Sequence, residues 1–171
     1  APLAGQVAIA EAHLLAFELD KTSEAKSLLK QTINTVTTSE EDKALAKIEL
    51  ADILLYTGQR WDAILYYGQA EKAFEYSPIG QEAKFKRAKA AYYVGDFEWA
   101  QGIFGVLKES TSKLIANDAM QYSLLIADNI AMDTNTEAMA TYAKADLLQY
   151  QNKIDSSLRI LGIMEIAYLD H

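Results

Sequence analysis

Apolar residues recur along the chain at spacings of three and four residues. Leu50 and Leu54 lie four apart, and Ile64 and Tyr67 lie three apart. Such spacings place side chains on one face of an α-helix, whereas the β-branched residues are scattered and do not alternate as strands require. The pattern therefore predicts an all-α protein of about nine helices. They are expected near residues 4–18, 22–36, 40–57, 60–76, 80–94, 97–109, 115–130, 135–151 and 154–168.

A short segment repeats within this helical pattern. Residues 56–63 and 93–100 each place an aromatic residue two positions before a glycine and an alanine five positions after it. The two glycines, Gly58 and Gly95, are 95 − 58 = 37 residues apart. A weaker copy has Asn152 in place of the glycine and Ser157 in place of the alanine, and a degenerate copy begins at Asp20. The four copies therefore indicate one repeated structural unit.

Each copy is interpreted as the turn of a helical hairpin. Glycine and asparagine tolerate the left-handed backbone conformation that follows many helix ends. The small residue that follows is expected where the second helix crosses the first closely. Gly95 and Asn152 are 152 − 95 = 57 residues apart, about one helix more than a repeat. We therefore expect the helix near 115–130 to be an insertion.

The segment Ser39-Glu40-Glu41-Asp42 is typical of a helix start. A serine three residues before an acidic residue has the form of a capping box. Acidic residues in a first turn also interact favourably with the positive end of the helix dipole. A helix is therefore expected to begin directly after Ser39.

The repeated pattern resembles the tetratricopeptide repeat, whose period is 34 residues. The matching positions are Leu50, Ala51, Leu54, Gly58, Ala63, Tyr67 and Ala70 in one unit, and Ala88, Gly95, Phe97, Ala100 and Phe104 in the next. Lys47 and Lys84 stand where the family has tryptophan. The resemblance implies a right-handed superhelix of antiparallel hairpins in a single domain over residues 1–171. The hairpins would span residues 4–37, 40–76, 80–109 and 135–168, with the extra helix at 115–130.

The segments at residues 95–100 and 123–129 resemble large envelope tetratricopeptide proteins of Bacteroidetes-type bacteria. This resemblance implies a periplasmic or cell-envelope location, with the cytoplasm as the alternative. It does not imply a particular partner.

Charge and composition narrow the classes of function. The formal net charge is −8, because 24 aspartate and glutamate residues outnumber 16 lysine and arginine residues. This acidic balance disfavours binding to nucleic acid or to an anionic membrane surface. No apolar run approaches the length of a membrane span, so membrane insertion is not expected. The absence of cysteine excludes disulfides and thiolate metal sites.

Reactive constellations are missing from the sequence. The histidines are His13, expected at a packed position, and His171 at the chain end, and they have no metal-ligand spacing. Gly102 and Gly105 lie inside an apolar helix and do not form a phosphate-binding loop. We therefore expect a non-enzymatic protein without a cofactor, a metal site or catalytic residues. An enzyme site formed at a junction is the weakest alternative.

Surface recognition is the remaining class of function, and its expected partner is a protein or peptide. In a helical-hairpin solenoid the first helices line the concave face, where Ile48 and Leu55 are expected to be exposed. The candidate partner-binding residues on this face are Asp52, Tyr56, Phe85, Lys89, Tyr92, Tyr93, Tyr142, Asp146 and Tyr150. Tyrosine suits an interface because it combines apolar area with a polar group. The row of tyrosines is equally consistent with packing between hairpins.

The segment from Lys84 to Lys89 is basic within an acidic chain. It could hold the carboxylates of a partner. The preferred interpretation is a solvated helix face paired with Glu82 or Glu98, because the four cations point in several directions.

The last predicted helix is apolar on more than one face, with Leu158, Ile163, Ile166 and Leu169 among its residues. Terminal repeats need a polar outer surface, so this helix is a candidate for self-association or for contact with further repeats of a longer protein. Two hypotheses follow. The chain is an interaction scaffold that binds a partner on its concave face, or it is a structural segment of a larger envelope assembly.

Overall fold

The computed structural model describes residues 3–132 and 136–168. Within these ranges the chain forms nine α-helices and no strand, which confirms the predicted all-α class. The helices are α1 (Ala4–Phe17), α2 (Thr22–Asn34), α3 (Glu40–Tyr56), α4 (Arg60–Ala73), α5 (Pro78–Tyr93), α6 (Phe97–Leu107), α7 (Lys113–Met132), α8 (Glu137–Tyr150) and α9 (Ile154–Tyr168). The expected helix ends are met to within three residues. Position 135, the expected start of α8, lies outside the described residues, as do Leu169 and His171.

The chain divides into two compact units, Ala1–Arg87 and Ala88–His171. In the first unit α1 packs against α2, α2 against α3 and α3 against α4, and α1 also contacts α3. The first helix of one hairpin therefore lies beside the first helix of the next. The centre of this unit is formed by the fully buried side chains of Leu29, Leu50, Ile53 and Tyr67.

In the second unit α6 packs against α7, α8 packs against α9, and α7 makes a smaller contact with α8. Helix α5 joins this unit through its last turns, where the ring of Tyr92 lies 5.9 Å from that of Phe97 at the start of α6. Phe104 and Ile126 are fully buried. The predicted superhelix and the membership of all hairpins in one domain stay predictions.

The four aligned turns share one backbone conformation. Their φ angles are positive at Asp20 (56°), Gly58 (86°), Gly95 (88°) and Asn152 (58°). In three of them the next residue closes the helix end by donating its N–H to a carbonyl five positions earlier. These bonds are Gln59 to Leu54 (2.8 Å), Asp96 to Ala91 (3.0 Å) and Lys153 to Leu148 (2.8 Å).

The small residue five positions after each turn is buried, as expected. Ala25, Ala63 and Ala100 have no exposed surface, and Ser157 is 6% exposed. The hydroxyl of Ser157 donates a 2.8 Å hydrogen bond to the carbonyl of Ala145 in α8. The serine therefore replaces alanine without leaving a buried hydroxyl unsatisfied.

Ser39 caps α3 as predicted. Its backbone is extended (φ −64°, ψ 153°), and its Oγ accepts a 3.0 Å hydrogen bond from the N–H of Asp42. Glu40, Glu41 and Asp42 fill the first turn. The position of this helix start was thus determined locally.

Candidate functional site

Asp52 in α3 is held by side chains of α4 and α5, the two helices that follow it in the chain. The hydroxyl of Tyr67 in α4 donates to its carboxylate, and Lys86 Nζ in α5 lies 2.6 Å from its second oxygen. Burial lowers the pKa of Lys86, but the charges and hydrogen bonds of Asp52 and Glu82 together outweigh it and leave this pKa above its ordinary value. Asp52 therefore contributes first to packing within its own unit.

The basic segment is also paired within the chain. Lys86 Nζ lies 3.4 Å from Glu82 Oε1, and the guanidinium of Arg87 lies 2.8 Å from Glu71 Oε2. These contacts support the interpretation of a paired helix face for these two cations. The pairing of Arg87 reaches α4, which the sequence did not indicate.

Tyr56 packs across to α1, where its ring lies 5.1 Å from that of Phe17 in an edge-to-face arrangement. One turn away, His13 Nδ1 lies 2.8 Å from Glu49 Oε1. Burial raises the pKa of Glu49 above its ordinary value, and the hydrogen bond from His13 opposes this shift. The side chain of His13 is 55% exposed, so its expected packed position was wrong.

An open apolar groove lies between α1 and α3. Its volume is about 500 Å³, and we call it the α1–α3 groove. It is lined by Gln6, Ile9, Ala10, His13, Leu14, Leu45 and Glu49. Its apolar lining residues are Ile9, Ala10, Leu14 and Leu45, its polar ones are Gln6, His13 and Glu49, and Leu14 is 55% exposed. This composition is typical of a surface that binds a partner's apolar side chain.

The second unit contains a cluster of aromatic and charged side chains, which we call the tyrosine cluster. It consists of Lys89, Tyr92, Tyr93, Tyr122, Asp146 and Tyr150. The rings of Tyr92 and Tyr122 lie 5.3 Å apart, and those of Tyr93 and Tyr150 lie 6.5 Å apart. Helices α5, α7 and α8 therefore meet through their tyrosines.

Lys89 and Asp146 provide the charges of this cluster. Lys89 Nζ lies 5.6 Å from the ring centre of Tyr122 and 5.9 Å from that of Tyr93, which are cation–π distances. Tyr122 directs its hydroxyl to Asp146 Oδ2 over a long 3.5 Å contact. Burial raises the pKa of Asp146, and the nearby charge of Lys89 opposes this shift.

Three tyrosines of this cluster, Tyr92, Tyr93 and Tyr122, have raised pKa values and resist ionisation. Burial, followed by the charge of Asp146, raises the pKa of Tyr92 well above its ordinary value. Burial raises the pKa of Tyr93 and of Tyr122 in the same way. The hydroxyl of Tyr92 is buried and has no hydrogen-bond partner among the described residues. Within this cluster the tyrosines act as neutral packing groups.

The exposure expected for the concave face was wrong at four positions. Ile48 and Leu55 are 4% exposed, Tyr92 is fully buried and Tyr93 is 6% exposed. The half-exposed face of α3 carries Leu45, Glu49, Asp52 and Tyr56. This face is rotated about the helix axis from the expected one, which included Ile48 and Leu55. Replacement of Tyr93 would therefore disturb the packing of the second unit as well as any partner-binding surface.

The other candidate residues keep some exposure. Tyr142 is 40% exposed, while Phe85, Lys89, Asp146 and Tyr150 are half-buried. Their role in binding a partner stays a prediction. The stacking of Tyr93 on Tyr150 and the edge-to-face contact of Tyr56 with Phe17 show that the repeated tyrosine position contributes to packing between helices.

The sequence did not indicate Tyr122, although it touches every charged member of the tyrosine cluster. It lies in α7, outside the repeat, so no alignment marked it. The apolar residues Ile9 and Leu45 of the α1–α3 groove were missed as well, because α1 belongs to the most degenerate copy. In both cases the contact depends on a neighbouring helix.

Over residues 3–132 and 136–168, no group of three or more histidine, cysteine or acidic side chains is arranged to hold a metal ion. In the same part of the chain, each helix is too short or too polar to span a bilayer. Comparison with family models, curated proteins and solved structures found no match for this chain.

Proposed function

We propose that the chain is a non-enzymatic scaffold that binds a protein or peptide partner through the α1–α3 groove. The observation that supports this is an apolar groove left open between two first helices, with polar residues along its border. The tetratricopeptide family remains part of this proposal, since the hairpins and their shared turns are compatible with it.

The surface beside the groove extends its apolar character. Leu3, which directly precedes α1, is 62% exposed, and Val7 and Leu14 on α1 are 60% and 55% exposed. The spacing of Val7 and Leu14 places them along one helix face. Contiguous exposed apolar surface bordered by polar residues is typical of protein interaction sites. An amphipathic partner segment would place its apolar residues along this face, in the manner of a helix in a groove.

Two of the predicted binding residues lie next to this surface. Asp52 and Tyr56 continue the face of α3 that begins with Leu45 and Glu49. In this proposal they contact the polar side of the partner. In the second unit the accessible candidate is Tyr142.

The test begins with selection of helical peptides that bind the 171-residue chain from a random library. Affinity is then measured for the chain, for Leu14→Asp and for Leu124→Asp as the control. The two leucines are matched, since each is 55% exposed. Burying a leucine side chain contributes roughly 1.5–3 kcal/mol, so we expect Leu14→Asp to weaken binding at least about tenfold. Leu124→Asp should change it less than about twofold. Equal losses in both variants would refute the groove assignment.

A second candidate function is that of a structural segment, and the exposed face of α9 favours it. Leu158 is 61% exposed, Ile163 60% and Ile166 73%, so the last helix presents apolar residues without a cover in the described chain. Sedimentation equilibrium should then show association that weakens in Leu158→Asp. A chain that stays monomeric from micromolar to millimolar concentration would contradict this candidate.

A further inference from the structure

A second apolar cavity adjoins the α1–α3 groove. Its volume is about 500 Å³, and we call it the α1 cavity. It is lined by residues of α1 and of the segment that follows it, namely Val7, Ala10, Glu11, Leu14, Leu15 and Leu19. Ala10 and Leu14 line both the α1 cavity and the α1–α3 groove. The two cavities therefore belong to one apolar surface that is centred on these two residues.

The charged side chains of this surface are acidic, apart from one histidine. Glu49 lines the α1–α3 groove and Glu11 lines the α1 cavity. No lysine or arginine is among the described residues that line either cavity, and α1 contains none along Ala4–Phe17. Glu11 is exposed, and 15% of the side-chain surface of Glu49 is exposed. A partner that occupies the cavities can therefore reach both carboxylates.

Glu49 lies in surroundings that disfavour its negative charge. Burial raises the pKa of Glu49 above its ordinary value, and the neighbouring charge of Asp52 acts in the same direction. His13, whose Nδ1 lies 2.8 Å from Glu49 Oε1, and Lys86 oppose this shift. Lys86 is itself paired with Asp52 over 2.6 Å and with Glu82 over 3.4 Å. A cation supplied by a partner would stabilise the Glu49 carboxylate, because an opposite charge favours the ionised form.

The last helix of a second copy matches this surface less well. The described part of α9 exposes Leu158, Ile163 and Ile166. Its charged residues are Asp155, Arg159 and Glu165, which give a net charge of 1 − 2 = −1. Like charges brought together at an interface are unfavourable. Charge complementarity therefore favours a basic partner over a second copy of this chain.

We propose that the partner of this surface is an amphipathic helix whose apolar residues contact Ala10 and Leu14 and whose flanking residues are lysine or arginine. The cationic groups pair with Glu11 and Glu49, while the aliphatic stems of the same side chains cover the apolar cavities. The inference rests on the proposed function, because it specifies the partner of the α1–α3 groove. The acidic border selects among apolar helices by their charge.

The test uses three synthetic helical peptides with the length of α1, 14 residues. They share one row of leucines and one helix-stabilising side-chain staple, and their flanking positions carry lysine, glutamine or glutamate. Exposed ion pairs contribute up to about fivefold each to affinity. We therefore expect the lysine peptide to bind the 171-residue chain at least about tenfold more tightly than the glutamine peptide, and the glutamate peptide to bind most weakly. Added potassium chloride should reduce the differences.

A neutral change in the apolar surface separates failure of this inference from failure of the proposed function. Leu14→Asn should weaken binding of all three peptides, whereas Leu124→Asn, at an equally exposed leucine of the second unit, should not. Equal affinity of the three peptides, with losses in Leu14→Asn, would overturn the charge preference and leave the groove as the binding site. Affinities that are unaffected by Leu14→Asn would overturn both.

Three acidic variants distinguish local pairing from the attraction of an acidic chain for any cation. Glu11→Gln and Glu49→Gln should each weaken binding of the lysine peptide by about two- to fivefold and leave the glutamine peptide unaffected. Glu98→Gln removes the same charge from an exposed position of the second unit and should weaken it by less than about twofold at physiological ionic strength. Equal losses in the three variants would overturn the proposal.

Two further measurements concern Glu49 and the occupant. By NMR titration of the side-chain carboxyl carbon, the pKa of Glu49 should be lower in the complex with the lysine peptide than in the complex with the glutamine peptide. Equal pKa values in the two complexes would refute the pairing with Glu49. A peptide with the sequence of residues 154–167 should bind more weakly than the lysine peptide. If it binds as tightly, the occupant is a second copy and the basic partner is excluded.

Discussion

Replacement of Tyr92 by phenylalanine should stabilise the second unit. The hydroxyl of Tyr92 is buried without a hydrogen-bond partner among the described residues. A buried polar group left unsatisfied costs about 1–3 kcal/mol. Phenylalanine removes that group and keeps the ring, whose centre lies 5.5 Å from Tyr93 and 5.3 Å from Tyr122. We therefore expect the free energy of unfolding to rise by about 1 kcal/mol or more.

Tyr67 provides the matched control. It is also buried, with 1% of its surface exposed, but its hydroxyl donates to the carboxylate of Asp52. Hydrogen bonds to charged groups contribute about 1.5–3 kcal/mol. Tyr67→Phe should therefore lower the free energy of unfolding by about 2 kcal/mol. The same chemical change at equal burial thus has opposite signs at the two positions.

Urea unfolding followed by circular dichroism measures both changes. Tyr92 lies in the second compact unit and Tyr67 in the first, so each variant is compared at the transition of its own unit if the two transitions separate. The slope of the transition should stay unchanged, because neither variant alters the area exposed on unfolding. A loss of about 1 kcal/mol in Tyr92→Phe would refute the reasoning, since it would show that the hydroxyl contributes a favourable contact.

Three further predictions concern pH, backbone conformation and charge. Burial raises the folded-state pKa of Tyr92 above its ordinary 10.0. The free energy of unfolding should therefore fall as the pH rises above 10, where the unfolded state loses this proton and the folded state keeps it. Urea titrations at several pH values should show that Tyr92→Phe reduces this fall by about 1.4 kcal/mol per pH unit. In thermal unfolding, Gly95→Ala should lower the free energy of unfolding by about 1–2 kcal/mol, because the φ angle of Gly95 is +88°. Gly102→Ala should raise it by about 0.5–1 kcal/mol, because Gly102 lies inside α6 and a Cβ there would meet open space. Asp52→Ala should lower the free energy of unfolding by about 2 kcal/mol, since it removes the carboxylate that lies 2.6 Å from Lys86 Nζ. Part of that loss should return in the double variant with Lys86→Met, as measured by a double-mutant cycle.

The sequence was sufficient for features that depend on a few adjacent residues. The turn positions at Gly58, Gly95 and Asn152 followed from residue types that tolerate positive φ, and the structure places all three there. Ser39 was recognised as a cap because its hydroxyl needs only the N–H three residues later. The helices followed from periodicity, which is also local.

The sequence did not determine which helix faces are covered. Tyr92 and Tyr93 were expected at the surface, and both are buried because α7 and α8 bring Tyr122 and Tyr150 against them. The α1–α3 groove likewise forms between elements that are distant along the chain.

The physical reason is the range of the interactions involved. Turn conformation, capping and helix periodicity arise within a few residues, so the amino-acid sequence by itself determined the nine helices within residues 3–132 and 136–168 and the turns at Gly58, Gly95 and Asn152. Burial of a side chain depends on what packs over it, so only the tertiary structure decided that Tyr92 is fully buried and that Leu14 stays exposed.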